Sequence, residues 1–266
     1  MRLSLPAMGD LVFRTNSSRT PRLGTCLFLH GAGGSSLTWL SQLRSLPSGW
    51  AGLAPDLPAP EAVTGVGDYA ALVEAALPAT GPRLVVIGHS LGGAIAMAIA
   101  LRRKLRLHGL VLAGTAARFR IDPCVRDRFL AGEHGLAFGP AASPALVRAS
   151  LREWRKRDAA SIGAAFALAA GHDVRGLLGE VRLPALVVGG SADRLTPPHL
   201  VRELAESIPG SRLIMLDGTG HMLMLEQPSR LAALIREFLE AIIAATAGGE
   251  SAARPRSSPT TPGTAC

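Results

Sequence analysis

The chain has little of what several protein classes need. It has three cysteines, Cys26, Cys124 and Cys266. Three are too few for a framework of disulfide bonds, and an odd number cannot all be paired. No apolar run reaches the roughly 20 residues that span a bilayer. The opening stretch, MRLSLPAMGDLVFR, lacks the sustained apolar core of a secretory signal. We therefore expect a cytoplasmic enzyme-sized chain of 266 residues with no membrane segment.

Aromatic residues and lysines are also scarce. Aromatic side chains make up 4% of the chain, Tyr69 is the only tyrosine, and Lys104 and Lys156 are the only lysines. The net charge of +8 therefore comes from arginines, which are scattered along the chain. Surfaces that bind single-stranded nucleic acid interleave aromatic and basic side chains. Because this sequence has no such interleaving, we expect no nucleic-acid partner.

Short apolar runs alternate with helical periods, a pattern typical of a mostly parallel sheet with helices on both faces. The fold class expected is therefore α/β. The predicted strands are 25–30, 50–56, 84–88, 109–114, 185–190 and 212–217. The predicted core helices are 36–46, 67–77, 91–103, 198–207 and 228–245, with Thr196 as the cap of the fourth.

One connection is far longer than the others. Between Gly114 and Leu183 the chain has no convincing strand but has helical stretches at 144–158 and 159–171. An insertion at the carboxyl end of a strand covers the edge of the sheet where ligands bind. We therefore expect a core (1–116 and 181–246), a helical lid (117–180) and a disordered tail (247–266) that is rich in Pro, Ser, Thr and Gly.

The stretch GHSLGG at residues 88–93 lies between a predicted strand and a predicted helix. Gly88 and Gly92 leave room for a sharp turn, which would lift the hydroxyl of Ser90 above the strand ends. G-x-S-x-G in a strand–turn–helix context indicates a nucleophile elbow. Because the five residues also recur by chance, a glycine-rich turn with a capping serine is the alternative.

A serine hydroxyl is a weak nucleophile, so it needs a base and a third group that orients the base. His221 follows the last predicted strand on a glycine-flanked loop, and Asp193 follows the strand before it. Ser, Asp, His is the chain order known for serines on such elbows. Asp122 and Asp217 are rival acids, although Asp122 has the pattern of a helix cap and Asp217 is close to His221 in sequence.

Each of these residues also has a purely structural interpretation. Asp193 would then close a turn, and His221 would be a solvated loop histidine. Among the other histidines, we expect His199 in the first turn of a helix at the surface and His89 packed beside the elbow. We expect ordinary polar positions for His108, His134 and His172.

Acyl transfer also develops negative charge on a carbonyl oxygen, and loss of one N–H donor to that oxygen typically costs on the order of 3 kcal/mol. The backbone of Leu91, directly after Ser90, offers one donor. The loop 29-LHGAGGSS-36 offers the second, which we assign to Ala32 with Gly33 as the alternative. The loop matches neither phosphate-binding glycine pattern. We expect neither a cofactor nor a metal ion.

Together these motifs resemble the α/β-hydrolase superfamily, and in particular its soluble, lid-bearing bacterial serine esterases. The resemblance covers about residues 23–243 and rests on LHGAGGSSLTW, APDLP, GHSLGG, GSADRLTP and GTGHMLMLEQP. It implies a helical lid inserted after the sixth strand, a triad of Ser90, Asp193 and His221, and an oxyanion hole at Ala32 and Leu91. Two departures are a rebuilt loop, 58-PAPEAV-63, and a short N-terminal hairpin.

The superfamily carries many chemistries, so the fold alone does not choose among them. Ser90 excludes the members whose nucleophile is aspartate or cysteine, and Met222 stands where carbon–carbon bond hydrolases usually place tryptophan. We expect a serine hydrolase that cleaves carboxylic esters of small to medium acyl chains through an acyl-enzyme. The alternatives are a thioesterase or lactonase acting on carrier-bound or cyclic acyl substrates, and a non-catalytic relative that binds a ligand.

The predicted lid adds two expectations about the substrate. Residues 118–176 include ten basic and six acidic side chains, which gives this segment a net charge of +4. A basic lid fits an acidic acyl-carrier protein or the anionic end of an acyl chain, although such a run is more often a solvated helix face. The candidate contacts for an apolar acyl or alcohol group are the lid aromatics Phe119, Phe129, Phe138, Trp154 and Phe166.

Overall fold

The computed structural model describes residues 11–16 and 21–252, and these form one sheet flanked by helices. The strands are β1 (Phe13–Thr15), β2 (Gly24–Leu29), β3 (Trp50–Pro55), β4 (Leu84–His89), β5 (Gly109–Ala113), β6 (Ala185–Gly190) and β7 (Arg212–Leu216). Within the described ranges their order in the sheet is β1-β3-β2-β4-β5-β6-β7. Only β1 runs antiparallel to its neighbour there, which confirms the mostly parallel sheet.

Helices cover both faces of this sheet. The helices are α1 (Leu40–Arg44), α2 (Val66–Ala76), α3 (Leu91–Arg102), α4 (Pro123–Leu130), α5 (Pro144–Trp154), α6 (Ala159–Ala170), α7 (Pro198–Ser207), α8 (Leu223–Glu226) and α9 (Pro228–Ala252). Residues of α2, α3 and α7 share one apolar core with the sheet, and residues of α1 and α9 share the other. The predicted arrangement of helices is thus confirmed.

The central strands are buried along their whole length, as expected for parallel strands with helices on both sides. Every residue of β2, β4 and β6 is buried. Their side chains alternate between the two cores, so that Val86 packs on the α3 side while Val85 and Ile87 pack on the α9 side. Each such side chain contributes about 1.5–3 kcal/mol by leaving water.

The order of the strands places a crevice above β2. The chain leaves β2 toward β3 on one side and later enters β4 on the other side. Loops that leave neighbouring strands in opposite directions open a crevice at the carboxyl ends of those strands. The glycine-rich loop after β2 and the turn after β4 therefore lie beside each other at this edge.

The long connection between β5 and β6, residues 114–184, is called the insertion below. It contains α4, α5 and α6, so the two predicted helical stretches exist but end at Trp154 and Ala170. The bounds of helix α4 were not predicted, but its cap was: Asp122 accepts from the backbone N–H groups of Cys124 and Val125. Counted over the described residues, the insertion follows the fifth strand instead of the predicted sixth, because one short strand alone precedes β2 there.

The last helix also differs from its predicted bounds. Helix α9 continues to Ala252, whereas the predicted core ends at residue 246 and the predicted tail begins at 247. The remainder of that tail, residues 253–266, lies outside the described residues. The first ten residues of the predicted core, 1–10, lie outside them as well. None of the helices in the described ranges combines the length and the apolar character that a bilayer crossing needs.

His172, at the end of α6, is more buried than an ordinary polar position. Only 7% of the residue is exposed, and its ring lies 6.4 Å from that of Phe119. Within the described part of the chain its Nε2 atom has no hydrogen-bond partner. Burial lowers the pKa of His172 from 6.5 to about 4, so this histidine folds in its neutral form.

We expect His172 to make the fold less stable in mild acid. Its pKa is lower in the folded chain than in the unfolded chain, so below pH 6.5 the unfolded chain binds the extra proton and gains stability. The contribution of neutral His172 to the free energy of unfolding is complete above pH 6.5. The free energy of unfolding then falls by about 2 kcal/mol between pH 7 and 5 as the unfolded chain takes up the proton. Urea unfolding of the His172→Gln variant at both pH values should show a correspondingly smaller loss. An equal loss in both proteins would contradict this prediction.

Candidate active site

Ser90 is the residue of the elbow between β4 and α3. Its backbone has φ 52° and ψ −121°, and its side chain does not cap the helix. The alternative of a capping serine is therefore wrong. A Cβ atom on Gly88 would collide with the carbonyl group of Gly92, and one on Gly92 would collide with that of Leu29. The two glycines thus let the strand and the helix approach closely enough for the turn.

Hydrogen bonds fix the backbone of this turn. The N–H group of Ser90 donates to the carbonyl oxygen of Ala113 at 3.1 Å. The hydroxyl group of Thr115, which is fully buried, donates to the carbonyl oxygen of Ser90 at 2.8 Å. Both contacts tie the elbow to the end of β5, so the position of the serine is set by the sheet.

His221 and Asp193 come together on the loops that follow β7 and β6. The Nδ1 atom of His221 lies 2.8 Å from the Oδ2 atom of Asp193, and the two residues are 5% and 3% exposed. Because an ionised carboxylate can only accept, Nδ1 is the donor in this contact, and in the neutral ring Nε2 keeps its lone pair. The other carboxylate oxygen accepts from the N–H groups of Leu195 and Thr196 at 2.8 and 2.9 Å.

Thr196 takes part in the same network, which the sequence did not reveal. It was predicted to cap α7, but the helix is preceded by Pro197 and has no side-chain cap. The hydroxyl group of Thr196 instead donates to Oδ2 of Asp193 at 2.6 Å and lies 3.2 Å from Nδ1 of His221. Thr196 therefore helps to hold both the carboxylate and the imidazole.

We expect the Thr196→Val variant to lose about tenfold in kcat for an ester substrate. The variant keeps the shape of the side chain but removes one hydrogen bond to a charged group, a change worth about 1.5 kcal/mol or more. Thr196→Ser, which keeps the hydroxyl group, is the matched control and should stay within about threefold of the parent chain. Equal kcat values for the valine and serine variants would contradict this role.

The rival acids lie elsewhere. Asp122 caps α4, and Asp217 accepts from the hydroxyl group of Ser191 at 3.0 Å. Asp193 is therefore the carboxylate that meets His221.

Two other histidines lie away from this pair. His199 is exposed in the first turn of α7, as predicted, and His134 is buried against the ring of Phe129.

His89 stands directly beside the catalytic candidates. Its ring lies 4.6 Å from the ring of His221, and its Nε2–H group donates to the carbonyl oxygen of His221 at 3.0 Å. Burial and the neighbouring His221 lower the pKa of His89 well below its usual value. His89 is therefore neutral and acts as a packed donor to the histidine loop, which agrees with its predicted place beside the elbow.

His30 fixes the loop after β2, and sequence reasoning missed it. Its Nδ1 atom lies 2.9 Å from the carbonyl oxygen of Gly31, and its Nε2 atom accepts from the N–H group of Leu57 at 3.0 Å. Burial lowers the pKa of His30, so the neutral ring donates through Nδ1 and accepts through Nε2. The only signal in the sequence was its place in the LHG motif.

The two predicted oxyanion donors lie at the same cavity as Ser90. Ala32 and Leu91 both line it, whereas Gly33, the alternative, lines a neighbouring groove. Leu91 is the first residue of α3, so its N–H group has no acceptor within the helix. A helix N-terminus also favours negative charge, which suits a developing oxyanion.

Ser90 and His221 both line one cavity at this edge of the sheet. Four of the five predicted aromatic contacts line it as well, namely Phe119, Phe129, Trp154 and Phe166. Phe138 does not, which corrects that prediction. Its ring packs 6.0 Å from that of Trp154, and the residue faces a separate depression beside Asp193.

A second groove lies beside the cavity, and Gly34, Thr38, Trp154 and Met222 line both. Glu153 and Arg157 lie along its outer part. Within the described ranges, no group of three or more His, Cys, Asp and Glu side chains is arranged to hold a metal ion.

The chain matches known proteins over most of its length. Residues 26–234 match the model of the alpha/beta hydrolase family. A pimeloyl-(acyl-carrier protein) methyl ester esterase from Aromatoleum aromaticum is 30% identical, over 80% of this chain and 97% of the relative. An esterase of the same name from Neisseria meningitidis is 27% identical, over 86% of this chain and 81% of the relative.

A solved structure shares the fold. A thermophilic esterase from Thermogutta terrifontis superposes with a TM-score of 0.70 at 24% identity, over 87% of this chain and 93% of the esterase. The family match covers most of the chain and includes the elbow, the acid and the histidine loop. This chain is a member of the alpha/beta hydrolase family.

Proposed function

We propose that the chain is a serine hydrolase that cleaves carboxylic esters of small to medium acyl chains. The observation that carries this proposal is that Ser90 and His221 line the same cavity, with Nδ1 of His221 held 2.8 Å from buried Asp193. A hydroxyl group, an imidazole with a free Nε2 lone pair and backbone donors at one cavity are the parts that acyl transfer needs.

In the first half of the proposed reaction, Oγ of Ser90 attacks the ester carbonyl carbon while Nε2 of His221 takes the hydroxyl proton. The carbonyl oxygen becomes an oxyanion, and the N–H groups of Ala32 and Leu91 stabilise it. When the bond to the alcohol oxygen breaks, His221 returns the proton to that oxygen. The alcohol leaves, and the acyl group remains on Ser90.

In the second half, water takes the place of the alcohol. His221 removes a proton from the water, whose oxygen attacks the acyl carbon, and the same two backbone donors hold the oxyanion. The bond to Oγ breaks, Ser90 regains its proton from His221, and a carboxylic acid leaves. Asp193 stabilises the protonated imidazole in both halves.

The walls of the cavity support an apolar acyl or alcohol group. Helices of the insertion contribute Phe129, Trp154 and Phe166, and Leu195 and Met222 complete an apolar surface around Ser90. We therefore propose that residues 117–180 act as a lid over a core of 1–116 and 181–246. Because apolar walls reward burial of CH₂ groups, activity should rise with chain length until the cavity is filled.

The relatives support ester hydrolysis in particular. The two curated relatives at 27% and 30% identity act, by name, on the methyl ester of an acyl group carried by a protein. Ser90 and His221 suit an ester, a thioester and a lactone alike, since all three pass through the same acyl-enzyme. The names of the two relatives favour an ester over a thioester or a lactone as the substrate.

A fluorophosphonate probe tests the proposal. The purified chain should be labelled, labelling should be lost in Ser90→Ala, and p-nitrophenyl esters of rising chain length should be hydrolysed. Preference for thioesters or lactones in the same assay would support those alternatives instead. Ligand binding in the cavity without labelling would make the chain a non-catalytic relative.

A carrier protein as the bearer of the acyl group has its own support. Arg148 and Arg152 on α5 and Arg155, which caps the C-terminal end of that helix, are exposed at spacings of four and three residues, so they share one face. In the described part of the chain none of the three makes an ion pair. Such a face attracts an acidic partner, and Trp154 in α5 lines both the groove and the cavity that holds Ser90.

The test compares two substrates with the same acyl methyl ester. In one the acyl group is carried by an acyl-carrier protein, and in the other it is carried by a small thiol as a free thioester. We expect a higher kcat/KM for the carrier form, which falls with added salt and in the variant with all three arginines changed to alanine. Equal kcat/KM for both forms without salt dependence would remove the carrier from the proposal while leaving the ester hydrolase intact.

A further inference from the structure

The loop that carries His221 is packed directly against the insertion. The N–H groups of His221 and Met222 both donate to the carbonyl oxygen of Ala137, at 2.7 and 3.2 Å. Ala137 is fully buried. Two consecutive peptide groups at the candidate base are therefore held by a residue of the insertion instead of the core sheet.

The carboxylate of Glu226 joins the same two segments. Glu226 is half-buried at the end of α8, and its Oε2 atom accepts from the N–H groups of Gly139 and Gly220 at 2.8 and 3.0 Å. Its Oε1 atom lies 3.1 Å from the N–H group of Gly220. In the described ranges Glu226 makes no ion pair with a cationic side chain. Its charge is thus directed at one peptide of the insertion and at the peptide that precedes His221.

The two segments touch through their backbones. A Cβ atom on Gly139 would collide with the carbonyl oxygen of Gly218, and one on Gly220 would collide with the backbone nitrogen of Gly139. With no side chain between them, the segments have little room to shift independently. A hydrogen bond that an ionised carboxylate oxygen accepts from an N–H group is roughly twice as strong as a neutral one, and Oε2 of Glu226 accepts one from each segment.

We propose that Glu226 is a positioning residue. It holds the loop of His221, the candidate base, and the insertion above the active site in fixed positions relative to each other. This inference rests on the proposed function, because it needs His221 to act as the base. Gly220 is the residue before His221, so the N–H group that Glu226 holds helps to fix the loop that carries the imidazole. A misplacement of about 1 Å at a reacting group costs on the order of 100-fold in rate. Movement of the insertion at Gly139 would reach His221 by the same contact.

The test uses three variants of Glu226 with a p-nitrophenyl ester. Glu226→Ala removes both hydrogen bonds and should lower kcat by about 10- to 100-fold, with KM changed by less than about threefold. Glu226→Gln can place its amide oxygen where Oε2 lies and should recover most of kcat. Glu226→Asp keeps the charge but withdraws it by one CH₂ group and should resemble the alanine variant. The rate of labelling by the fluorophosphonate probe should follow kcat.

Glu237→Ala removes an exposed carboxylate of α9 and serves as the control with unchanged kcat. If the alanine variant does not fold, the glutamine and aspartate variants decide. Equal kcat for those two, or a kcat unchanged in all three, would overturn the inference. A parent chain that the probe does not label would instead overturn the proposed function, so the two failures are distinct.

Discussion

Replacing Ser90 with alanine is expected to lower kcat for a p-nitrophenyl ester by on the order of 10⁶-fold and to abolish labelling by a fluorophosphonate. The variant removes the attacking oxygen while the elbow, the cavity and the base remain. The backbone bonds of residue 90 to Ala113 and Thr115 do not involve its side chain, so the fold should persist. Loss of activity can then be assigned to chemistry.

The measurements are steady-state kinetics and gel-based probe labelling, with far-UV circular dichroism to check the fold. Ser207→Ala, at the end of α7, is the matched serine control and should be labelled like the parent chain. A Ser90→Ala chain that keeps more than about a hundredth of the parent kcat would mean that another group is the nucleophile. The acyl-enzyme proposal would then fall.

The second large effect is expected at Asp193. Asp193→Asn should lower kcat by about 10⁴-fold with the fold intact. One carboxylate oxygen accepts from the N–H groups of Leu195 and Thr196, so the amide oxygen takes that side. The NH₂ group then faces Nδ1 of His221 and donates to it. Nδ1 must lose its proton, Nε2 must carry one, and the imidazole can no longer accept a proton from Ser90.

This effect is measured as kcat/KM across pH and as the rate of probe labelling. Asp217→Asn is the control, because Asp217 accepts from Ser191 and makes no contact with His221. The control should stay within about threefold of the parent chain. An Asp193→Asn variant with a rate near that of the parent would show that the carboxylate is a structural residue and that His221 needs no orienting partner.

The buried elements were predictable from the sequence because their pattern is strong. A parallel strand covered on both sides must be apolar at every residue, so β2, β4, β5 and β6 stand out as continuous runs. The three-residue β1 and the helix α4 carry no such signal. Phe13–Thr15 is short and mostly exposed, and Pro123–Leu130 buries Phe129 alone.

The candidate site divides in the same way. Ser90, Asp193 and His221 were located from chain order and from loops at strand ends, which a parallel sheet brings to one edge. The roles of Thr196, His30 and Glu226 depend on contacts between segments far apart in the chain or on which way a side chain turns. Phe138 shows the limit: its aromatic type fitted a cavity wall, but its buried ring packs against Trp154 and does not line the cavity.

The backbone of Ser90 has one more consequence. A residue with a side chain at φ 52° occupies a sparsely populated region that costs on the order of 1–3 kcal/mol. Glycine would adopt that geometry without the penalty, yet it would bring no hydroxyl group. Reactivity and thermodynamic robustness therefore compete at a single position, and a chain selected only for resistance to heat would be expected to give up its nucleophile first.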